Sequence, residues 1–387
     1  MKIGIVRGPF LNKWEMQNYE PLLEKYSVTA FTTTNHWFPL DEIKLPLKKL
    51  FSIDTIFSLI SLQLANIFNR ICNRFFGWNY YMFGLKNQLK DFDIVNTVEL
   101  HHTFTNQVIN AKKKYGFKVV VTVWENIPFI WDRHSLRKKN KQNVIKNADL
   151  FIAVTEKIKQ TLILEGVPEE KIVVLNYGID LNRFKPEDKN IQLLNKIGIN
   201  KEDFIILFIG RFVWEKGIYD LIFSAKKILC DNDIKFPIKF VFVGSGQEKK
   251  NMIALIKRLG ISESVKIVPG LAYELMPDVH NLADIFVLPS IPTRSWQEQF
   301  GMVLIESIAC AKPVIATLSG SIPEVVGDAA ILVPPADYMT LYKEIKNLVL
   351  NKDLRDSLKI KSRARAENFF SINSFVKKVK EVIGENK

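Results

Sequence analysis

Residues 204–217 read FIILFIGRFVWEKG. Six apolar residues come first, without polar alternation. A strand buried on both faces of a parallel sheet reads this way. A helix is expected over 219–229, directly after Gly217. Strand, glycine-punctuated loop and helix, in that order, form the repeating unit of a doubly wound α/β sheet. The loop carries chemistry of its own. Gly210 leaves room for a tight turn and a close ligand approach. Arg211 offers a planar fork of donors suited to phosphate, and Lys216 adds a mobile point charge. The amides of the helix that follows Gly217 favour anions. One Arg and one Lys at such a mouth fit a diphosphate. A surface Arg and Lys beside an ordinary turn is the plainer reading of the same loop.

The pattern repeats on both sides. Strands are expected at 2–7, 27–32, 94–98, 118–123, 150–154 and 172–175, and again at 204–209, 238–243, 265–268, 285–288, 313–316 and 330–333. Helical stretches alternate with them, which gives an α/β chain. Its 387 residues exceed the ~250–300 that one core supports, so two domains are expected. After 172–175 comes NYGIDLNRFKPEDKN, polar and punctuated by Gly178 and Pro186, and the linker is placed near 180–190. The domains are placed at 1–182 and 183–369.

Composition removes several classes. Hydrophobic residues at 47% and charged residues at 25% are ordinary globular values, which excludes disorder, collagen and a disulfide mini-scaffold. Cys72, Cys230 and Cys310 are far apart with no CxxC pair. Neither a zinc knuckle nor a disulfide framework is supported, and a reducing, cytoplasmic compartment fits. The opening MKIGIVRGPF reads as a buried strand rather than a signal peptide. The most apolar window, 55–68, is short and holds Ser58, Ser61, Gln63 and Asn66, so a membrane span is not expected. The net charge is 54 − 41 = +13. Residues 1–190 contribute 27 − 19 = +8 and the rest 27 − 22 = +5. Such a field favours phosphate ligands, acidic lipid or nucleic acid without choosing among them. Residues 36–90 are basic and aromatic, and read as helices that pack on the first sheet or touch an anionic membrane surface. The cluster Arg133, Arg137, Lys138, Lys139 and Lys141, within 133–146, carries the same two readings.

Further along, 298–306 reads EQFGMVLIE. Glu298 falls in a loop closed by Phe300-Gly301, and Glu306 about two turns into the helix that follows. Two separated carboxylates suit hydroxyl recognition, one for a sugar and one for a ribose diol, since a carboxylate accepts two vicinal O–H groups. Residues 312–326, KPVIATLSGSIPEVV, read as a strand, a small-residue loop and a helix with Ser321 as candidate N-cap and Pro323 near its start. Gly244-Ser245-Gly246 ends another strand but lacks the third glycine of a dinucleotide fingerprint. All four loops follow strands at their carboxyl ends, the binding edge of an open α/β sheet.

These residues resemble the C-terminal half of the family 4 retaining glycosyltransferases. The resemblance rests on Gly210-Arg211, Glu215-Lys216-Gly217, Glu298 with Phe300-Gly301, Glu306, 312–316 and 320–326. It extends to 177–180 with Phe184 and Pro186, to Ala283-Asp284 with Pro289-Ser290, and to Pro334-Pro335 with Asp337. It is close over 145–375 and loose at the start of the chain. It implies a GT-B fold of two Rossmann-like domains facing a central cleft, with a last helix at about 370–387 crossing back to the first domain. It implies transfer of a hexose-type sugar, with retention, from a nucleotide sugar such as a UDP- or GDP-sugar, with neither a metal nor a cofactor. The acceptor would be a hydroxyl of a glycan, soluble or lipid-linked; the lipid-linked form, at the inner face of a membrane, rests on residues 36–90 and the 133–146 cluster alone. Carried over by position, Arg211 and Lys216 would bind the diphosphate, Glu306 the ribose and Glu298 the sugar. Gly8, Gly210, Gly244, Phe300, Gly301, Met302 and Val303 would line the donor.

The chain departs from the family at several places. After the first strand it has Gly8-Pro9-Phe10 in place of a double glycine. Where the family often carries a histidine, it has Trp124-Glu125-Asn126, so Glu125 stands as a replacement candidate. Glu99, His101 and His102 follow another strand end and are candidates too. Gln299 replaces the usual glycine after the acidic residue. A GT-B epimerase or phosphorylase would use the same cleft. A nucleic-acid-binding protein would explain the charge, but no module of that kind is present and no nucleic-acid partner is expected.

Overall fold

The computed structural model describes residues 1–52, 55 and 80–384; within 36–90, residues 53–54 and 56–79, with Cys72 and the aromatic residues from Phe57 to Trp78, lie outside them. The chain forms two compact units, Met1–Gly178 with Ile372–Lys387 and Ile179–Ser371. The divisions fall after residues 178 and 371, against the 182 and 369 read from the sequence.

The first unit contains β1 (Lys2–Gly8), β2 (Ser27–Thr33), β3 (Leu47–Leu50), β4 (Ile94–Val98), β5 (Lys118–Val123), β6 (Leu150–Ala153) and β7 (Ile172–Val174). They form one parallel sheet in the order β3-β2-β1-β4-β5-β6-β7. All five residues of β4 are buried. That two-sided burial is why the strand carries no polar alternation. β3 is the strand that the sequence reading lacks. Its LKKL has a lysine pair between two leucines and is half exposed. It exists because β2 offers a free edge, and lysine is a common guard of such edges.

The second unit contains β8 (Phe204–Ile209), β9 (Ile238–Val243), β10 (Val265–Val268), β11 (Ile285–Leu288), β12 (Val314–Thr317) and β13 (Ala330–Val333). Their order is β10-β9-β8-β11-β12-β13, parallel throughout. In both sheets the order reverses beside the first strand, between β1 and β4 and between β8 and β11. Such reversals open a crevice at the carboxyl ends of the strands.

The first unit is tied together by a buried polar network. Arg7, fully buried on β1, donates from Nε to Glu15 Oε1 at 2.7 Å and from an Nη to Asn96 Oδ1 on β4 at 2.6 Å. Tyr177 donates to the same Glu15 oxygen at 2.7 Å, and its hydroxyl lies 2.9 Å from that of Tyr19. The Tyr177 ring stacks on Trp124 at 4.7 Å and lies 4.9 Å from Phe375 of the terminal helix Ile372–Val382. A buried ion pair is weak evidence of net stabilisation, but removing one partner strands the other charge. Glu15→Ala is therefore expected to cost about 3–5 kcal/mol of unfolding free energy. Urea unfolding of the full chain measures it; a loss below about 1 kcal/mol, the scale of an exposed pair, would show that water reaches Arg7.

Candidate functional site

The second unit gathers four loops at the ends of β8, β9, β11 and β12, and backbone contact locks them together. Gly217 has φ +68, and a Cβ there would come within 1.8 Å of Pro289 O. Gly320 has φ +59, and a Cβ there would lie 2.0 Å from Glu298 O. A Cβ on Gly244 would sit 1.9 Å from Gly210 O. Only glycine fits such approaches. Hydrogen bonds cross between the same loops: Phe212 N–H to Ser245 O at 2.7 Å, Ile291 N–H to Glu215 O at 2.8 Å and Ser321 N–H to Glu298 O at 2.8 Å. Ser321 stands at the N-cap of Ile322–Val326 as expected, but its side chain makes no capping bond; its amide is spent on the Glu298 loop.

Lys216 and Glu298 meet inside this cluster. Lys216 Nζ lies 2.6 Å from Glu298 Oε2, and both side chains are largely shielded. Ser290 Oγ donates to the same oxygen at 2.9 Å, and the ammonium sits 4.9 Å over the Trp296 ring. Arg211, two residues past β8, is exposed and has no ion-pair partner among the described residues. A shielded ion pair and an exposed guanidinium beside glycine-rich backbone are groups that can hold an anion next to a hydrogen-bonding carboxylate.

Glu306 is placed differently from the expectation. The helix begins at Met302, with Gly301 at its N-cap in left-handed backbone, so Glu306 stands just over one turn in rather than two. It is 3% exposed, and its Oε2 lies 3.1 Å from His280 Nε2. His280 is itself fully buried, and its Nδ1 has no partner. With a proton on Nε2, the imidazole donates to the carboxylate. Glu306 Oε1 takes no partner among the described residues. The sequence reading missed His280, because a lone histidine in an apolar helix carries no motif. Phe300 is core, 1% exposed and packed edge-on against Phe370. Any donor contact there falls to backbone and to the first turn, Met302 and Val303.

The first unit presents a second cluster at the ends of β1, β4 and β5. Gly8, φ +55, ends β1 against the Phe104 ring. Glu99 follows β4 and Glu125 follows β5. Glu99 Oε1 accepts from Trp124 N–H at 2.9 Å, and its Oε2 is buried without a partner. Burial first, and then the nearby Glu125, push the Glu99 carboxyl up to about 8. Glu125 is also raised, chiefly by burial, although it accepts from Ile127 N–H at 3.1 Å and Trp131 Nε1 at 3.3 Å. His101 stacks on Trp131 at 4.3 Å and is held well below the usual histidine range by burial and then by His102. His102 is pushed down to about 3 by burial and Arg137. Both histidines are neutral, so neither is a ready proton donor at neutral pH.

The basic cluster of 133–146 also changes meaning. Arg137 is 7% exposed and lies 4.6 Å over the Trp131 ring, and Lys141, 5% exposed, is bound by Asp132 and Glu165. These two cations belong to the interior; Arg133, Lys138 and Lys139 remain exposed. No helix among the described residues is long and apolar enough to cross a membrane.

Two family models match the chain: Glycosyl transferases group 1 over residues 189–365 and Glycosyltransferase Family 4 over residues 60–183. A D-inositol 3-phosphate glycosyltransferase of Streptomyces bingchenggensis is 31% identical over 242 residues, 59% of this chain and 51% of that protein. A capsular polysaccharide biosynthesis glycosyltransferase, CapM, of Staphylococcus aureus is 31% identical over 233 residues, 57% of each chain. The chain spans about half the length of these curated relatives. Among solved structures, Anabaena HepE in complex with UDP is similar over the whole of both chains, with a TM-score of 0.77 and 17% identity. The same protein has been solved with UDP-glucose, at a TM-score of 0.76.

The raised Glu99 carboxyl makes a pH prediction. The unfolded chain releases this proton near the ordinary carboxylate value of about 4.3, while the folded chain keeps it to about 8. Between those values the folded state binds more protons, so stability falls as pH rises, by up to about 1.4 kcal/mol per pH unit. Denaturant midpoints of wild type and Glu99→Gln from pH 5 to 9 are expected to diverge through this window and to run parallel above it. Parallel curves throughout would mean an ordinary, ionised Glu99.

Proposed function

The chain belongs to the family 4, group 1 glycosyltransferases of GT-B fold, and from that premise we propose that it transfers a hexose-type sugar from a nucleotide sugar to a hydroxyl of a glycan or lipid-linked acceptor, with retention and without a metal. The observation that carries this reading is the convergence of Lys216, Glu298 and Ser290 with exposed Arg211 on glycine-locked strand ends. The donor is a UDP- or GDP-sugar. That the similar HepE has been solved with UDP and with UDP-glucose supports a uridine donor.

In this mechanism Arg211 and the Lys216 ammonium take the diphosphate. Lys216 shifts from Glu298 towards the anion, and Glu298, still held by Ser290, accepts from hydroxyls of the sugar. The bond from the anomeric carbon to the phosphate oxygen breaks, and negative charge collects on the departing phosphate. Preorganised cations in a shielded site stabilise such charge strongly. The acceptor oxygen bonds to the same face of that carbon, and its proton passes to the departing phosphate oxygen. No second carboxylate at glycosidase spacing is needed. Glu306, oriented by His280, accepts from the ribose hydroxyls through its other oxygen.

Thermal shift with UDP, GDP and their sugars, in EDTA, tests the donor assignment. A ligand at 100 times its Kd is expected to stabilise the fold by about 2.7 kcal/mol, with the response greatly reduced in Arg211→Ala and Lys216→Ala. Silence across the panel would sink the donor reading, and a response only after adding magnesium would sink its metal-free form. The ribose role has its own test. Calorimetry with UDP and 2′-deoxy-UDP is expected to show wild type favouring UDP by about tenfold, the worth of a hydrogen bond to a charged group. Glu306→Gln is expected to lose most of that preference; an undiminished preference would return Glu306 to a purely internal role.

A further inference from the structure

The end of β4 holds a carboxyl that donor binding leaves unused. Glu99 lies in left-handed backbone, φ +60, a costly conformation for glutamate. Its N–H donates to Thr122 O at 2.9 Å and its Oε1 accepts from Trp124 N–H at 2.9 Å, so β5 and its exit hold the residue in place. Yet Oε2 is buried with no partner. A carboxyl kept only for stability would have both oxygens satisfied. Strain and an orphaned acceptor together mark a residue retained for binding or catalysis.

Glu99 lines a cavity of about 20 Å³, shared with His101, Glu125, Trp131, Lys141 and Glu165. That volume admits about one water or one hydroxyl group. The charges around it select the occupant. Lys141 is already committed to Asp132 and Glu165, so it leaves no cation for a phosphate. Glu125 and Glu165 repel an anion. Glu99 in its neutral form has one O–H to give, and each Glu125 oxygen keeps a lone pair beyond the donor it holds. A hydroxyl, donor and acceptor at once, satisfies both.

We propose that this cavity binds one hydroxyl of the saccharide acceptor, with Glu99 giving it a hydrogen bond and Glu125 taking one. The assignment rests on the transferase reading above and gives that reading a polyhydroxylated acceptor. Gln at position 99 keeps a donor of similar shape, whereas Leu removes it.

The test uses the full chain, fluorescently labelled, on an array of immobilised mono- and oligosaccharides in the presence of UDP. Wild type, Glu99→Gln and Glu99→Leu are compared, each with its melting temperature and its UDP thermal shift. The expected result is a defined saccharide subset retained by wild type and by Glu99→Gln. Glu99→Leu is expected to weaken it about tenfold or more while remaining folded at the assay temperature, with a lower melting point from the lost Trp124 N–H bond, and keeping the UDP response. Equal retention by Glu99→Leu, equal losses in both variants, or no saccharide retained by wild type overturns the proposal. Retained saccharides with no UDP response in wild type would support this site and sink the donor reading instead.

Discussion

The second unit depends on backbone lying directly on backbone. Pro289 O occupies the space where a Cβ of residue 217 would be, and Glu298 O does the same at residue 320. These contacts bring the exits of β8, β11 and β12 within hydrogen-bonding range of one another. Lys216 can then meet Glu298, although 82 residues separate them in sequence. Shielding follows from the same closeness, because loops with no side chain between them leave little room for water. The electrostatics of the site is thus a consequence of where glycine is obligatory.

The two candidate clusters handle polar groups in opposite ways. The one on the second unit holds Lys216 and Glu298 as an ion pair with Arg211 exposed beside them. The one on the first unit suppresses charge: Glu99 is held neutral and both His101 and His102 are held unprotonated. Paired charges suit a ligand that arrives ionised. Neutral donors and acceptors suit one recognised by hydroxyls, since they exact no large desolvation from a partner that carries none.

Most of the architecture was legible because a parallel sheet buried on both faces writes itself as short apolar runs. β4, β5, β8, β9, β10, β11 and β13 stand at the residues read from the sequence. β3 was not legible, since its lysines carry no apolar signal and its pairing depends on an edge made elsewhere. The Arg211, Lys216 and Glu298 loops were legible through local spacing. The partners of Glu306 and Glu99 were not, because His280 and Glu125 reach them only through the fold. Arg137 and Lys141 show the same limit for charge: a run of cations in sequence says nothing of which ones turn inward.

The terminal helix bears on how this chain is made. Residues 179–371 form a unit continuous in sequence, but the first unit includes 372–387 as well. Phe375 lies against Tyr177 and Tyr19, at the heart of the Arg7–Glu15 network. On the ribosome, the unit that emerges first therefore cannot be the first to finish. Its packing must wait, with Tyr19 and Tyr177 lacking their aromatic neighbour Phe375, until residues 372–387 have emerged. The second unit has all of its residues earlier and is free to close ahead of it. Synthesis runs from the amino end, as always, but completion of the fold runs the other way.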